Sequence, residues 1–155
     1  MAKPVVVVTG VSGNLGSRLL PLLRSFSVIG IDVKPPQTDS ELQFESLDLG
    51  KESSTRTLYE LLRDTRPFAV VHLAFVLDPV RMGVIDQQRM WQINVAGTAR
   101  VMEAVTEVNR TADDGIKQFI YPSSVSVYGP DLAAPATEET AFGAHTLPYA
   151  VQKKE

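Results

Sequence analysis

Two hydrophobic rhythms alternate along the chain. "PVVVVTG" at 4–10 is a continuous β-branched run closed by glycine, the pattern of a strand covered on both faces. "GNLGSRLLPLLRS" at 13–25 repeats leucines at helical spacing, and Pro21, lacking a backbone donor, predicts a kink in that helix. "SVIGID" at 27–32 reads as the second strand, ending at Asp32, with "PPQTDS" as the loop beyond it. "LQFESLDL" at 42–49 alternates apolar and polar residues and reads as the third. Ser53 or Ser54 caps a helix whose Leu58, Leu61 and Leu62 face inward and which stops before Pro67.

"FAVVHLAF" at 68–75 is the fourth strand. A long helical pattern from Val84 to Asn109 carries Trp91, Val95, Val101, Met102, Val105 and Val108, and Asp113-Asp114-Gly115 closes it. "KQFIYPSS" at 117–124 is the fifth strand. A long connection over 129–147, of the kind that is usually functional, precedes a last helix opening at Pro148. Strands alternating with helices predict an α/β fold: a Rossmann-type doubly wound parallel sheet with right-handed crossovers, in one domain over 1–155. The last helix is barely two turns long at Glu155, so we expect the N-terminal part of a longer protein, truncated after the fifth strand.

Composition narrows the function. A chain of 155 residues with 44% apolar and 21% charged residues can build a core and is not disordered. Fifteen Lys and Arg against eighteen Asp and Glu give no broad positive field, so a nucleic-acid partner is not expected. The absence of cysteine excludes disulfides, thiolate metal sites and a cysteine nucleophile, and no metal centre is expected. Apolar runs are far shorter than the ~18 residues of a membrane span, which points to a cytoplasmic protein without a membrane partner.

Candidate chemistry sits at both ends. Gly10, Gly13 and Gly16 join a strand to a helix whose first turn holds Asn14 and Leu15. Free backbone N–H groups and the positive helix end there suit a pyrophosphate. Asp32, about 20 residues beyond Gly10, stands where a carboxylate accepts ribose hydroxyls and repels a 2′-phosphate, favouring NAD over NADP. Tyr149 and Lys153 are four apart on the last helix, so the ammonium can favour a phenolate on its neighbour. Ser124, at the end of the fifth strand, would lie on the carboxyl edge of the sheet, where open α/β sheets bind ligands. His72 reads as strand filler and His145 as a loop residue.

Together "TGVSGNLG", Asp32, "LDL" at 47–49, "HLA" at 72–74, "NVAGT" at 94–98, "PSSVSVYG" at 122–129 and "YAVQK" at 149–153 resemble the extended short-chain dehydrogenase/reductases. The match is specifically to their NAD-dependent epimerase/dehydratase family, over the whole chain and in the family's order. The resemblance implies that Gly10, Gly13, Asn14, Leu15 and Gly16 cradle the pyrophosphate, and that Asp32 holds the adenosine ribose. It implies that Asp48 and Leu49 meet the adenine, that Leu73 and Ala74 line the cofactor, and that Asn94 braces the site. Ser124, Tyr149 and Lys153 match the catalytic triad, with Lys153 also on the nicotinamide ribose. The implied activity is nucleotide-sugar epimerisation, with Tyr149 as acid and base and hydride transfer to NAD. A dehydrogenase or ketone reductase on a non-sugar substrate, and a non-catalytic dinucleotide-binding module, are the alternatives. Dehydratases of the family carry an Asp-Glu pair where Val125-Ser126 stand here, which disfavours that reaction. Family members run about as long again, supplying a substrate-binding part, and often pair as homodimers.

Overall fold

The computed structural model describes residues 2–37, 41–79, 83 and 86–155. Its elements are β1 (Val5–Thr9), α1 (Asn14–Leu19), β2 (Ser27–Asp32), β3 (Gln43–Ser46), α2 (Ser54–Thr65), β4 (Ala69–His72), α3 (Gln87–Trp91), α4 (Gly97–Thr111), β5 (Gln118–Ile120) and α5 (Pro148–Gln152). All strand pairings are parallel, in the order β3-β2-β1-β4-β5. This is the expected Rossmann-type sheet.

The valine run explains why β1 is central. Successive side chains of a strand point to opposite faces. Val7 enters a core with Ile29 and Val70, Leu58 and Leu62 of α2, and Val101, Ala104 and Val108 of α4. Val6 and Val8 enter the opposite core with Val28, Val71, Val11 and Leu20, under α1. Each fully buried valine is worth about 1.5 kcal/mol or more, so a polar residue at any of the three positions opposes the sandwich.

Local chemistry sets the boundaries. The first helix tightens at Pro21 into a 3-10 turn over Leu20–Leu22 in place of a kinked α-helix. Strand β3 ends at Ser46, short of the predicted 49, because the carbonyl of Asp48 turns to accept from Lys51 N and Ser54 Oγ at the start of α2. Strand β5 ends at Ile120, before Pro122, which has no N–H to pair. The long helix is described from Gln87, capped by Asp86, whose carboxylate accepts from Gln88 N; Val84 lies outside the described residues, as do 38–40 of the "PPQTDS" loop. That helix contains a π turn, Gln92–Ala96, which periodicity did not foresee. Trp91 and Met102 are half exposed while Val101, Val105 and Val108 are buried.

Helix α2 stops through Arg66, the one non-glycine residue with positive φ among those described, at 42°. Its N–H reaches Leu62 O at 2.9 Å, and Pro67 prevents continuation. A side chain in the left-handed region is strained, which glycine relieves. Arg66→Gly is therefore expected to stabilise the fold by about 0.5–1 kcal/mol, read as a higher urea midpoint at unchanged slope.

Candidate functional site

Thr9 and His72 are register partners at the carboxyl ends of β1 and β4. Because β2 and β4 flank β1 on opposite sides, the crossovers diverge here and leave a crevice of about 600 Å³. One wall carries Gly10, Gly13, Asn14, Leu15 and Gly16. The other carries Leu73, Phe75, Pro122, Ser123, Tyr149 and Lys153. A larger open groove of about 980 Å³, between Leu20, Phe26 and Leu42, is lined by none of the candidate site residues.

The three glycines lack side chains for different reasons. Gly10 has φ +69°, and a Cβ there would stand 2.5 Å from Ala74 N and 2.7 Å from Ala74 Cα. A Cβ on Gly16 would be driven into the carbonyl oxygens of Val11 and Gly10. Both positions serve the fold itself. Gly13, at the N-cap of α1 with no side-chain cap, would meet only Gly10 O, at 3.2 Å, so its bareness opens space in the crevice. The first-turn residues beside it, Asn14, Leu15 and Gly16, stand where a helix leaves its N–H groups without internal acceptors. This donor set fits a dinucleotide's diphosphate.

Asp32 is anchored from both sides: Oδ2 accepts from Ser12 N at 3.0 Å and Oδ1 from Val33 N at 2.7 Å. The glycine loop thereby aims the carboxylate, whose remaining lone pairs stay available. Asp48 is engaged within the protein, by Arg89 Nη2 at 2.5 Å and Gly50 N at 3.1 Å. Leu49, grouped with the adenine by resemblance, packs in the core below α2 and α4, and its carbonyl accepts from Arg100. Ala74 contributes main chain, its N–H donating to Thr9 Oγ1 at 3.3 Å.

Asn94, which by resemblance braces the site and counts among the cofactor residues, is fully buried in the π turn. Its Oδ1 accepts from Val76 N at 2.6 Å, and its Nδ2 donates to Val76 O at 3.0 Å and Gln152 Oε1 at 2.8 Å. It joins the loop after β4 to helix α5 from within. Ser124 caps the 3-10 turn Val125–Tyr128, its Oγ accepting from Ser126 N at 3.2 Å, while Ser123 takes the place on the crevice wall. His145, in the loop before α5, accepts from Leu147 N through Nδ1.

Tyr149 lies on α5 and Lys153 at its C-cap, both line the crevice, and Lys153 N donates to Tyr149 O at 3.0 Å. Two residues not singled out in the sequence surround them. Phe75 meets Tyr149 edge-on at 5.5 Å, and Lys153 Nζ lies over the rings of Phe75 and Tyr121. Burial pulls Lys153 down to about 8. Desolvation by burial also raises Tyr121 above its ordinary value. Aromatic residues at strand ends read as ordinary strand formers, so only proximity to the lysine reveals them. Beyond the C-terminal end of α5, Trp91 Nε1 donates to Glu155 Oε2 at 3.0 Å.

His72 is fully buried at the end of β4. Its Nδ1 pairs with Thr9 Oγ1 at 2.6 Å and its Nε2 with Thr98 Oγ1 at 2.9 Å. Thr98 spends its proton on Asn94 O, so it accepts from Nε2–H, and Nδ1 accepts from Thr9. A neutral imidazole completes this chain. Burial first, then the charge of Lys153, lower His72 from its ordinary value to about 4.

Residues 6–155 match the NAD dependent epimerase/dehydratase family, and the chain belongs to that family. An uncharacterised epimerase/dehydratase of Staphylococcus aureus is 25% identical over 155 residues, covering 96% of this chain and 44% of the relative. The structure of MoeE5 in complex with UDP-glucose and NAD is 28% identical with a TM-score of 0.76, covering 96% of this chain and 45% of that one. The UDP-N-acetylglucosamine 4-epimerase of Methanobrevibacter ruminantium, in complex with UDP-N-acetylmuramic acid, is 29% identical with a TM-score of 0.76, covering 99% and 48%. The chain thus spans about half the length of the relatives it matches. Among the described residues, no helix is long and apolar enough to cross a membrane.

The buried imidazole makes stability depend on pH. Its folded value of about 4 lies below the ordinary 6.5, so between these the unfolded chain binds the extra proton. The His72 contribution is intact above about pH 6.5 and is lost progressively toward pH 4, to a total of about 3 kcal/mol. Urea unfolding at stepped pH should show this slope in the wild type and its removal in His72→Asn.

Proposed function

We propose that this chain carries the dinucleotide-binding and proton-handling part of an NAD-dependent nucleotide-sugar epimerase. The observation that carries the reading is one crevice with the glycine loop on one wall and Tyr149 with Lys153 on the other. Family membership supports NAD, and the UDP-sugar complexes of the similar structures support a nucleotide sugar. A cytoplasmic homodimer of the full-length protein belongs to the same proposal.

In this reading Gly13, Asn14 and Leu15 receive the diphosphate, with Gly10 and Gly16 shaping the loop. Asp32, oriented by the Ser12 and Val33 amides, accepts the adenosine ribose hydroxyls and opposes a 2′-phosphate. Asp48 borders the adenine end, backed from the core by Leu49, and Leu73 and Ala74 bound the nicotinamide side. A nicotinamide held between these walls would supply the hydride acceptor and donor for a substrate carbon. Tyr149 takes the proton of the substrate hydroxyl and gives it back. Lys153, charged below about pH 8, would bring its positive charge to the crevice wall that it shares with Tyr149 and would hold the nicotinamide ribose. Ser124 accepts the Ser126 N–H, which leaves its own O–H free to donate to the substrate oxygen.

Calorimetric titration should give tighter binding of NAD than of NADP, and Asp32→Ala should weaken NAD about tenfold or more, as loss of a charge-assisted hydrogen bond requires. Equal wild-type affinity for the two would remove Asp32 from the role. In a UDP-glucose turnover assay with NAD, Tyr149→Phe should lower kcat about 10²-fold or more, and unchanged turnover would exclude it as the acid and base.

A further inference from the structure

The ammonium of Lys153 is enclosed by two aromatic faces. Nζ lies 3.7 Å from the Phe75 ring centroid and 4.1 Å from that of Tyr121, and donates to Pro122 O at 2.9 Å. Both rings are themselves held. Phe75 stands perpendicular to Tyr149 at 5.5 Å and 88°. Tyr121 stacks on the buried His72 ring at 5.6 Å and 23°.

We propose that Phe75 and Tyr121 are positioning residues that seat Lys153 between two aromatic faces and so set both its place beside Tyr149 and its charge. The inference rests on Lys153 and Tyr149 being the acid–base pair. Neither ring need touch substrate: each acts through the lysine.

The seat exerts two opposed effects. Covering the ammonium removes water and disfavours the charge, whereas the negative ring faces favour it. Burial prevails, leaving Lys153 at about 8. Around the amine the titratable groups are His72 from β4, Asp78 on the loop after it, Tyr121 after β5 and Tyr149 on its own helix. The uncharged His72 lets the charge of Lys153 stay unopposed from below. One arrangement thus holds the lysine near the neutral range while fixing its direction.

Replacing the rings separates these effects by sign. Competitive acetylation of the cofactor-free chain over the neutral to alkaline range, with each lysine quantified by mass spectrometry, gives a titration midpoint for Lys153. Exposed Lys51 serves as the reference. Phe75→Leu keeps the cover but removes the ring face, so the midpoint should fall by about half a unit. Phe75→Ala admits water, so it should rise by about one unit or more. Phe75→Trp should restore the wild-type midpoint. Tyr121→Leu should shift it in the direction of Phe75→Leu, and reads the same seat if the Phe75 variants fail to fold. A wild-type midpoint at the free-amine value of ~10.4, or Leu and Ala variants that move together or not at all, would overturn the seat. Because the assay needs no cofactor, a seat that titrates as expected in a chain without NAD affinity would sink the functional proposal alone.

Discussion

Gly10 and the main chain of Leu73 and Ala74 occupy space that only a missing side chain can supply. With a hypothetical Cβ 2.5 Å from Ala74 N, the two strand exits could not run this close. Their proximity brings Ala74 N onto Thr9 Oγ1 and carries Phe75 toward α5. The crevice therefore depends on backbone meeting backbone at one point, before any question of ligand arises. Gly16 does the same for the helix, and Gly13 alone is left to leave room.

A buried polar chain fixes what this contact positions. Thr9, His72, Thr98 and Asn94 link β1, β4 and α4, and the Asn94 amide continues to Val76 and Gln152. Polar groups this deep destabilise a core unless all are paired. Among the described residues, no buried side-chain nitrogen or oxygen lacks a partner. The network ties the strand that feeds the glycine loop to the helix that carries Tyr149 and is capped by Lys153, so the two walls of the crevice share one support.

Much of this was legible in the residues. The valine run, the glycine spacing and Asp32 located β1, the loop and the end of β2, because β-branched content and missing side chains are local signals. Strand ends were less so: β3 and β5 stop early on account of Asp48's carbonyl and Pro122, details of hydrogen bonding rather than of hydrophobicity. Periodicity missed the π turn, since one extra residue in a turn shifts the apolar stripe without altering composition. It also could not show that Asn94 turns inward, that Asp48 is already held by Arg89, or that Phe75 and Tyr121 converge on Lys153. Each of those is a meeting of residues distant in sequence.

The lone tryptophan gives the molecule an optical handle of its own. Trp91 is half exposed on α3, and its indole N–H is bonded to Glu155 just beyond α5. Its emission colour and quenching therefore respond to whether the chain end beyond α5 is docked against α3, so movement of α5 can be followed in the unlabelled protein.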